Sequence, residues 1–216
     1  MSAPAYSPFL YTFCRRALRL FLTLYNRLEV HGIEHVPEQG GVLLVANHAS
    51  FLDPPALGCA ITKRNVRYMA RDSLFANRWF GRLLRGIAAV PISREKGDIG
   101  ALKGALAVLK AGDCLGFFPE GTRTATGEMR EAKGGIGFLV AKARVPVVPA
   151  YIDGTFDAFS RKHRWIRPAK VRIIYGPPIL PSECDQLGDG RDLYDKIGEL
   201  ITERIRRLNP ANKMLN

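Results

Sequence analysis

A histidine and an aspartate in one short segment have the residue types and spacing needed for proton transfer. The segment NHASFLD, residues 47–53, follows the apolar run GVLLVA at 41–46 and precedes Pro54. If the chain folds back here, the Asp53 carboxylate can accept a hydrogen bond from one ring nitrogen of His48 and leave the other free to take a substrate proton. On this segment alone, a strand-end histidine followed by a helix-capping aspartate explains the pattern equally well.

A second segment, FFPEGTRT at residues 117–124, also ends an apolar run and enters a basic, glycine-rich loop. The first segment and FPEGTRT resemble the blocks NHxSxxD and FPEGTRS of the glycerophospholipid acyltransferase family, with Thr124 in place of the usual serine. The family's second and fourth blocks resemble VPISR at 90–94 and VPVVPAY at 145–151, and all four stand in the family's order. The resemblance covers roughly residues 28–180 and is strongest to the small bacterial 1-acylglycerol-3-phosphate acyltransferases.

The resemblance implies an O-acyltransferase that moves a fatty acyl group to the free hydroxyl of 1-acylglycerol-3-phosphate, giving phosphatidic acid. The donor would be acyl-CoA or an acylated carrier protein. Because a thioester is already activated, His48 with Asp53 need only remove the proton of the attacking alcohol. No serine or cysteine nucleophile is needed, so we interpret Ser50 as a turn hydroxyl. No cofactor is expected.

The phosphate of such an acceptor calls for cationic side chains, and the planar guanidinium of arginine can donate two bonds to it. Arg94 and Arg123 lie on two of the motif loops and are the first candidates. Lys133, ahead of a glycine-rich helix start, is a third candidate, although a solvated surface charge explains it well. By resemblance, Glu120 and Gly121 shape the acceptor site, and Glu120 either anchors Arg123 or binds a glycerol hydroxyl. The neighbouring substrate-binding candidate in the same block is Thr122.

The composition is strongly basic. The 216 residues carry a net charge of +12, and SRKHRWIRPAK at 160–170 is the densest basic stretch. This balance predicts an anionic partner: lipid headgroups, phosphorylated substrates or nucleic acid. The four cysteines are far apart and the four histidines form no ligand set, so we predict neither a disulfide framework nor a metal site.

Two alternatives to a phosphate-bearing acceptor stay open. The same motifs serve enzymes that acylate other lysolipids, including lyso-ornithine lipid. A non-catalytic basic module that binds membrane or nucleic acid would share the composition. Against a nucleic-acid partner, the basic residues are spread along the chain and form no recognisable nucleic-acid motif.

Strands alternate with helices along the chain, which predicts one α/β domain with a layered mixed sheet flanked by helices. Apolar runs predict strands at 28–32, 41–46, 87–92, 114–118, 145–152 and 171–175. Helical periodicity predicts helices at 8–28, 54–61, from Asp72 or Ser73 to about 84, 98–112, 133–143 and 191–208.

The first predicted helix, residues 8–28, combines an apolar stripe with arginines. This pattern is typical of a helix in the membrane interface, and a helix packed on its own domain is the alternative. Three arginines in its middle argue against a spanning segment, and no signal-peptide cleavage pattern follows. A second candidate for membrane contact is the cluster Trp79, Phe80, Arg82 and Arg85.

We therefore divide the chain into three parts. Residues 1–27 form an amphipathic membrane-associating helix, residues 28–209 an acyltransferase domain, and residues 210–216 a loose tail. We expect a peripheral or monotopic protein at the cytoplasmic face of the membrane, with an anionic membrane surface, a lysophospholipid acceptor and an acyl donor as partners and no nucleic acid.

Overall fold

The computed structural model describes residues 6–92, 97–132, 135–190 and 192–214. Its strands are β1 Glu29–His31, β2 Val42–Ala46, β3 Val66–Arg71, β4 Val90–Ile92, β5 Cys114–Phe117, β6 Val147–Asp153 and β7 Arg172–Tyr175. Its α-helices are α1 Pro8–Asn26, α2 Asp53–Ala60, α3 Arg78–Gly86, α4 Gly97–Lys110, α5 Gly135–Ala143, α6 Thr155–Phe159, α7 Pro181–Asp185 and α8 Asp192–Arg207. Short 3-10 turns cover Ile33–His35, Asp72–Phe75 and Pro210–Met214.

The strands form one sheet in the order β1-β7-β6-β2-β5-β3-β4. All neighbouring pairs are parallel except β6 with β7, which is antiparallel. This confirms the predicted mixed sheet. At its centre, β2 pairs with β5 on one side and β6 on the other, so the carboxyl ends of these three strands lie at the same sheet edge. Functional groups collect at such an edge in α/β sheets.

Helices cover both faces of the sheet. Successive side chains of β2 point to opposite faces, and all five are buried, so each face must be covered. Leu44 packs into a cluster with residues of α1 and α2, including Leu22 and Leu57. Leu43 packs on the other face with residues of α4, α5 and α8, including Ile136. The predicted single α/β domain with flanking helices is therefore confirmed.

The sequence prediction lacks β3, which lies in the sheet interior between β5 and β4. The strand reads VRYMAR. Its two arginines interrupt the apolar run by which a buried strand is predicted. Arg67 is buried, and its Nε lies 2.8 Å from Oδ2 of Asp113, at the start of the neighbouring strand. Pairing with a carboxylate makes a buried guanidinium tolerable.

The helix predicted from Asp72 or Ser73 begins later than expected. Residues 72–75 form only a 3-10 turn, and α3 begins at Arg78. The N-cap is Asn77, whose Oδ1 accepts hydrogen bonds from the backbone amides of Trp79 and Phe80. The strand expected at 87–92 is confined to Val90–Ile92, because Ala88 adopts the left-handed conformation with φ 66°.

Helix α1 packs against its own domain through the face that carries arginines. Arg19 donates to the carbonyl of Ala60 at 2.9 Å, and Arg15 donates to the carbonyls of Ile61 and Arg64, where α2 ends. Cations at the carboxyl end of a helix are favourable because unpaired carbonyls carry negative charge there. The opposite face of α1 leaves large apolar side chains exposed, at 83% for Phe9, 61% for Phe13, 60% for Leu20 and 75% for Leu24.

None of the helices in the described part of the chain is long and apolar enough to cross a bilayer.

The contact between α5 and α8 requires a glycine. A Cβ atom at Gly137 would lie 1.9 Å from the backbone oxygen of Tyr194 in α8. We expect Gly137→Ala to lower the free energy of unfolding by about 1–3 kcal/mol, because the two helix backbones must separate. Urea unfolding followed by circular dichroism measures this loss.

Gly198→Ala is the matched control on α8, since its Cβ would make ordinary contact with Ile136 at 3.8 Å. We expect it to be neutral or to stabilise by up to about 1 kcal/mol, because alanine favours a helix. Equal midpoints for the two variants would contradict the close approach of α5 and α8.

Candidate active site

The loops that follow β2, β5 and β6 meet at the edge of the sheet where these strands end. His48 comes two residues after β2, Glu120 three residues after β5, and Thr155 two residues after β6. Asn47 joins two of these loops, because its side chain donates to the carbonyl of Ile152 and accepts from the amide of the same residue. Residues far apart in sequence are thus fixed at one place.

Asp53 is wholly buried at the start of α2 and accepts four hydrogen bonds. Its Oδ2 accepts from Nδ1 of His48 at 2.9 Å and from the amides of Ala49 and Ser50, each at 2.6 Å. Its Oδ1 accepts from the hydroxyl of Thr155 at 2.6 Å. A carboxylate facing Nδ1 assigns the proton to that nitrogen, which leaves Nε2 of His48 as a hydrogen-bond acceptor.

The imidazole of His48 has a stacking contact in addition to the hydrogen bond at Nδ1. Its ring stacks on Phe118, with centroids 4.3 Å apart and an interplanar angle of 26°. The backbone of His48 is also fixed: its amide donates to Oε1 of Glu120 at 2.7 Å, and its carbonyl accepts from the amide of Thr124 at 2.9 Å. The structure therefore brings the two main motif segments together around the histidine.

Glu120 binds backbone, and both of its oxygens are engaged. Oε1 accepts from the amide of His48 and Oε2 from the amide of Arg130 at 3.2 Å. Burial raises the pKa of the Glu120 carboxyl above its ordinary value, and the two backbone N–H bonds partly oppose this shift. Among the described contacts, none joins Glu120 to Arg123, which was one of the two expected partners. Gly121 follows in the left-handed conformation at φ 68°, where glycine is favoured.

Ser50 makes the bonds of a turn hydroxyl. Its Oγ donates to the carbonyl of Phe159 at 2.7 Å and accepts from the amide of Leu52 at 3.0 Å. These bonds tie the loop after His48 to the end of α6. They agree with the interpretation of Ser50 as a structural residue.

Arg123 lies beside the histidine loop with part of its guanidinium unsatisfied. Its Cζ is 3.3 Å from the centroid of the Phe51 ring. Its Nη1 is buried and has no hydrogen-bond partner among the residues that the structure describes. Next to it, the hydroxyl of Thr122 accepts from Nη2 of Arg161 at 2.6 Å. The other two phosphate-binding candidates, Arg94 and Lys133, lie outside the described residues.

Comparison with known proteins identifies the family of the chain. The model of the acyltransferase family matches residues 27–153. The chain belongs to the acyltransferase family. It is 30% identical over 199 residues to the 1-acyl-sn-glycerol-3-phosphate acyltransferase of Bacillus subtilis, covering 92% of this chain and 96% of that protein. It is 29% identical over 206 residues to the enzyme of the same name from Streptococcus pneumoniae, covering 94% and 74%.

The fold of this acyltransferase is also that of a solved relative. The crystal structure of the 1-acyl-sn-glycerophosphate (LPA) acyltransferase from Thermotoga maritima superposes with a TM-score of 0.76 at 25% identity. The match covers 94% of this chain and 78% of that one. The chain is therefore an O-acyltransferase, and the alternative of a non-catalytic binding module is set aside.

Two residues at the site of the acyltransferase are not predicted from its sequence. Thr155 is 102 residues from Asp53, and Arg161 is 39 residues from Thr122. Neither lies in a motif block. The available signal was position: Thr155 follows a predicted apolar strand, and Arg161 lies in the densest basic stretch of the sequence.

Thr155→Val tests the bond to Asp53. We expect kcat to fall about tenfold, a loss of ~1.4 kcal/mol, because the free Oδ1 lets the carboxylate rotate away from His48. Steady-state acyl transfer measures the change.

Thr202→Val is the matched control, because among the described contacts the buried hydroxyl of Thr202 bonds only the carbonyl of Gly198 within α8. Its kcat should stay at the wild-type value even if its unfolding midpoint shifts. An unchanged kcat for Thr155→Val would show that the hydroxyl does not position the carboxylate.

Proposed function

We propose that this acyltransferase moves a fatty acyl group from a thioester donor to the free hydroxyl of 1-acylglycerol-3-phosphate, giving phosphatidic acid. The observation that carries the proposal is the His48–Asp53 pair, in a loop whose Phe51 contacts Arg123, an arginine with a buried donor that has no partner among the described residues. The names of the bacterial relatives support this acceptor. Either acyl-CoA or an acylated carrier protein serves as the donor in this proposal, since both present the same thioester.

In the proposed reaction, Nε2 of His48 takes the proton of the acceptor hydroxyl as its oxygen attacks the thioester carbonyl. The carbon–sulfur bond then breaks, and the leaving thiolate receives the proton from His48. Asp53 stays ionised, keeps the ring oriented and stabilises the imidazolium, and its four hydrogen bonds hold it in place for this role. No acyl-enzyme forms, so the reaction needs no nucleophilic side chain.

Acceptor recognition in this proposal uses the loop after β5. Arg123 binds the phosphate, because its buried Nη1 lacks a partner among the described residues and phosphate oxygens are good acceptors. Glu120, Gly121 and Thr122 shape the loop that presents this arginine. The candidates Arg94 and Lys133 remain predictions, since they lie outside the described residues.

His48→Ala tests the reaction directly. We expect turnover to fall about 10²–10⁴-fold, because no other group takes the hydroxyl proton. Purified protein in neutral detergent micelles is assayed with labelled acyl-CoA or acyl carrier protein, and with 1-acylglycerol-3-phosphate or lyso-ornithine lipid as acceptor. Phosphatidic acid formed by the wild type and lost in the variant is the expected result.

His31→Ala is the matched control, since His31 is an exposed residue on edge strand β1. Product formed only from lyso-ornithine lipid would show that the proposed acceptor is wrong and would leave the proposed role of His48 unchanged. Full turnover by His48→Ala would overturn the role of the histidine.

We also propose that the protein works as a peripheral or monotopic enzyme at the cytoplasmic face of a membrane. The exposed apolar face of α1 supports this, and α3 adjoins it: the amide of Ser7 donates to the carbonyl of Gly86 at 3.3 Å. Trp79 of α3 is 75% exposed, beside the exposed Arg78 and Arg82. Apolar side chains flanked by arginines suit an anionic lipid surface.

Phe13→Asp/Leu24→Asp tests membrane contact through α1. We expect binding to vesicles containing anionic lipid to weaken at least about tenfold, because two apolar side chains no longer enter the interface. Cosedimentation measures the bound fraction. Ile99→Asp is the control, since Ile99 is 69% exposed on α4, on the other side of the sheet. If the α1 variant and Ile99→Asp bind these vesicles equally well, α1 is not the docking face.

A further inference from the structure

Arg161 lies against the loop that holds Arg123, although it belongs to no motif block. Its Nη2 donates to the hydroxyl of Thr122 at 2.6 Å. The chain that carries it is fixed at both ends beside the site. On one side the carbonyl of Phe159 accepts from Ser50, and on the other the carbonyl of Arg167 accepts from Asn26 at 2.9 Å. The position of Arg161 is therefore set by the fold around the histidine loop.

Arg123 and Arg161 bring two positive charges close together, and no carboxylate of the described residues forms an ion pair with either. The charge of Asp53 acts on the Arg123 guanidinium, but this carboxylate is already bonded to His48, Thr155 and two amides. Burial, and next the charge of Arg161, lower the pKa of the Arg123 guanidinium, with a smaller contribution from Arg71.

Two neighbouring guanidinium groups, one with an unbonded buried donor, are unfavourable unless an anion binds. Two guanidinium groups repel each other, and a buried N–H without an acceptor costs free energy. An anion bound between them removes both penalties at once, because it supplies acceptor oxygens and negative charge. An unsatisfied buried donor in a folded protein calls for an explanation, and beside a second positive charge a bound anion supplies one.

We propose that Arg161 is a second ligand of the acceptor phosphate, and that with Arg123 it makes the site select a phosphomonoester headgroup. This inference rests on the proposed function. A phosphomonoester carries a charge of about −1.5 to −2 near neutral pH, which matches two guanidinium groups. A phosphodiester has one charge and fewer free oxygens, and a lipid without phosphate has neither, so both gain less from the second arginine.

The position of the pair also fits the reaction. In 1-acylglycerol-3-phosphate the free hydroxyl and the phosphate ester stand on neighbouring carbon atoms. A phosphate held by Arg123 and Arg161, next to the loop of His48, therefore keeps the hydroxyl within reach of the histidine. Correct placement of the hydroxyl comes from binding the group beside it.

Arg161→Gln tests the proposal, with Arg164→Gln as the matched control. Arg164 is an exposed arginine of the same segment, so both variants lose one positive charge from the same part of the surface. In neutral detergent micelles we expect Arg161→Gln to raise the KM for 1-acylglycerol-3-phosphate at least about tenfold, with a smaller change in kcat because Arg123 still holds the phosphate beside His48. Arg164→Gln should keep both constants, and Arg161→Lys should recover part of the affinity.

Selectivity gives the second readout. We expect Arg161→Gln to lower the ratio of kcat/KM for 1-acylglycerol-3-phosphate to that for lysophosphatidylcholine about tenfold, because only the monoester loses a full charge pairing. A thermal melt equal to that of the wild type shows that the fold is retained. If Arg161→Gln and Arg164→Gln change KM and selectivity equally, the effect is general surface charge and the proposal is overturned.

A binding measurement separates this inference from the proposed function. Titration of the protein with sn-glycerol 3-phosphate, followed by calorimetry, needs no turnover. If the wild type makes no phosphatidic acid, the proposed acceptor is wrong, and the titration alone decides the role of Arg161. Binding that weakens about tenfold in Arg161→Gln and not in Arg164→Gln supports the anion site, whereas equal binding by all three proteins overturns it.

Discussion

The buried carboxylate of Asp53 is the group on which the site depends. A charge removed from water is tolerated only when it is paired or fully hydrogen-bonded, and Asp53 meets this requirement with four donors. Two of these donors are backbone amides of the loop before it, so the loop must fold back as a turn. The third is the His48 ring, whose orientation follows from the turn. The fourth comes from Thr155, which ties the loop to the end of β6.

A second buried carboxylate has a different role because its partners differ. In the part of the chain that the structure describes, Glu120 accepts from two backbone amides, those of His48 and Arg130, so it joins the loop after β2 to the loop after β5. Asp53 acts on the imidazole itself, whereas Glu120 fixes the backbone that carries the imidazole. Two carboxylates within one site are thus separated by geometry into one that faces the imidazole and one that holds the loop.

Local sequence patterns predicted the parts of the site that are local. The apolar runs of β2, β5 and β6 marked the strands, and the spacing of His48 and Asp53 fits the turn that the structure shows. Contacts between distant segments left no local pattern. Thr155 reaches Asp53 across 102 residues, and β3 was missed because Arg67 looks solvent-exposed until Asp113 is placed beside it. Such pairings follow from sheet order, which periodicity does not contain.

The arginines that make the composition strongly basic have different roles, which their contacts reveal. Arg15 and Arg19 donate to carbonyls at and just beyond the end of α2, and Arg67 pairs with Asp113, so these guanidinium groups have acceptors within the protein. Arg123 and Arg161 have no carboxylate partner among the described residues and lie at the edge of the sheet where His48 stands. Net charge alone cannot distinguish these cases, since both kinds contribute equally to the sum of +12. Within the described residues, Arg123 and Arg161 indicate an external anion because their charges lie close together and the buried Nη1 of Arg123 has no acceptor, so a bound phosphate would supply both an acceptor and negative charge.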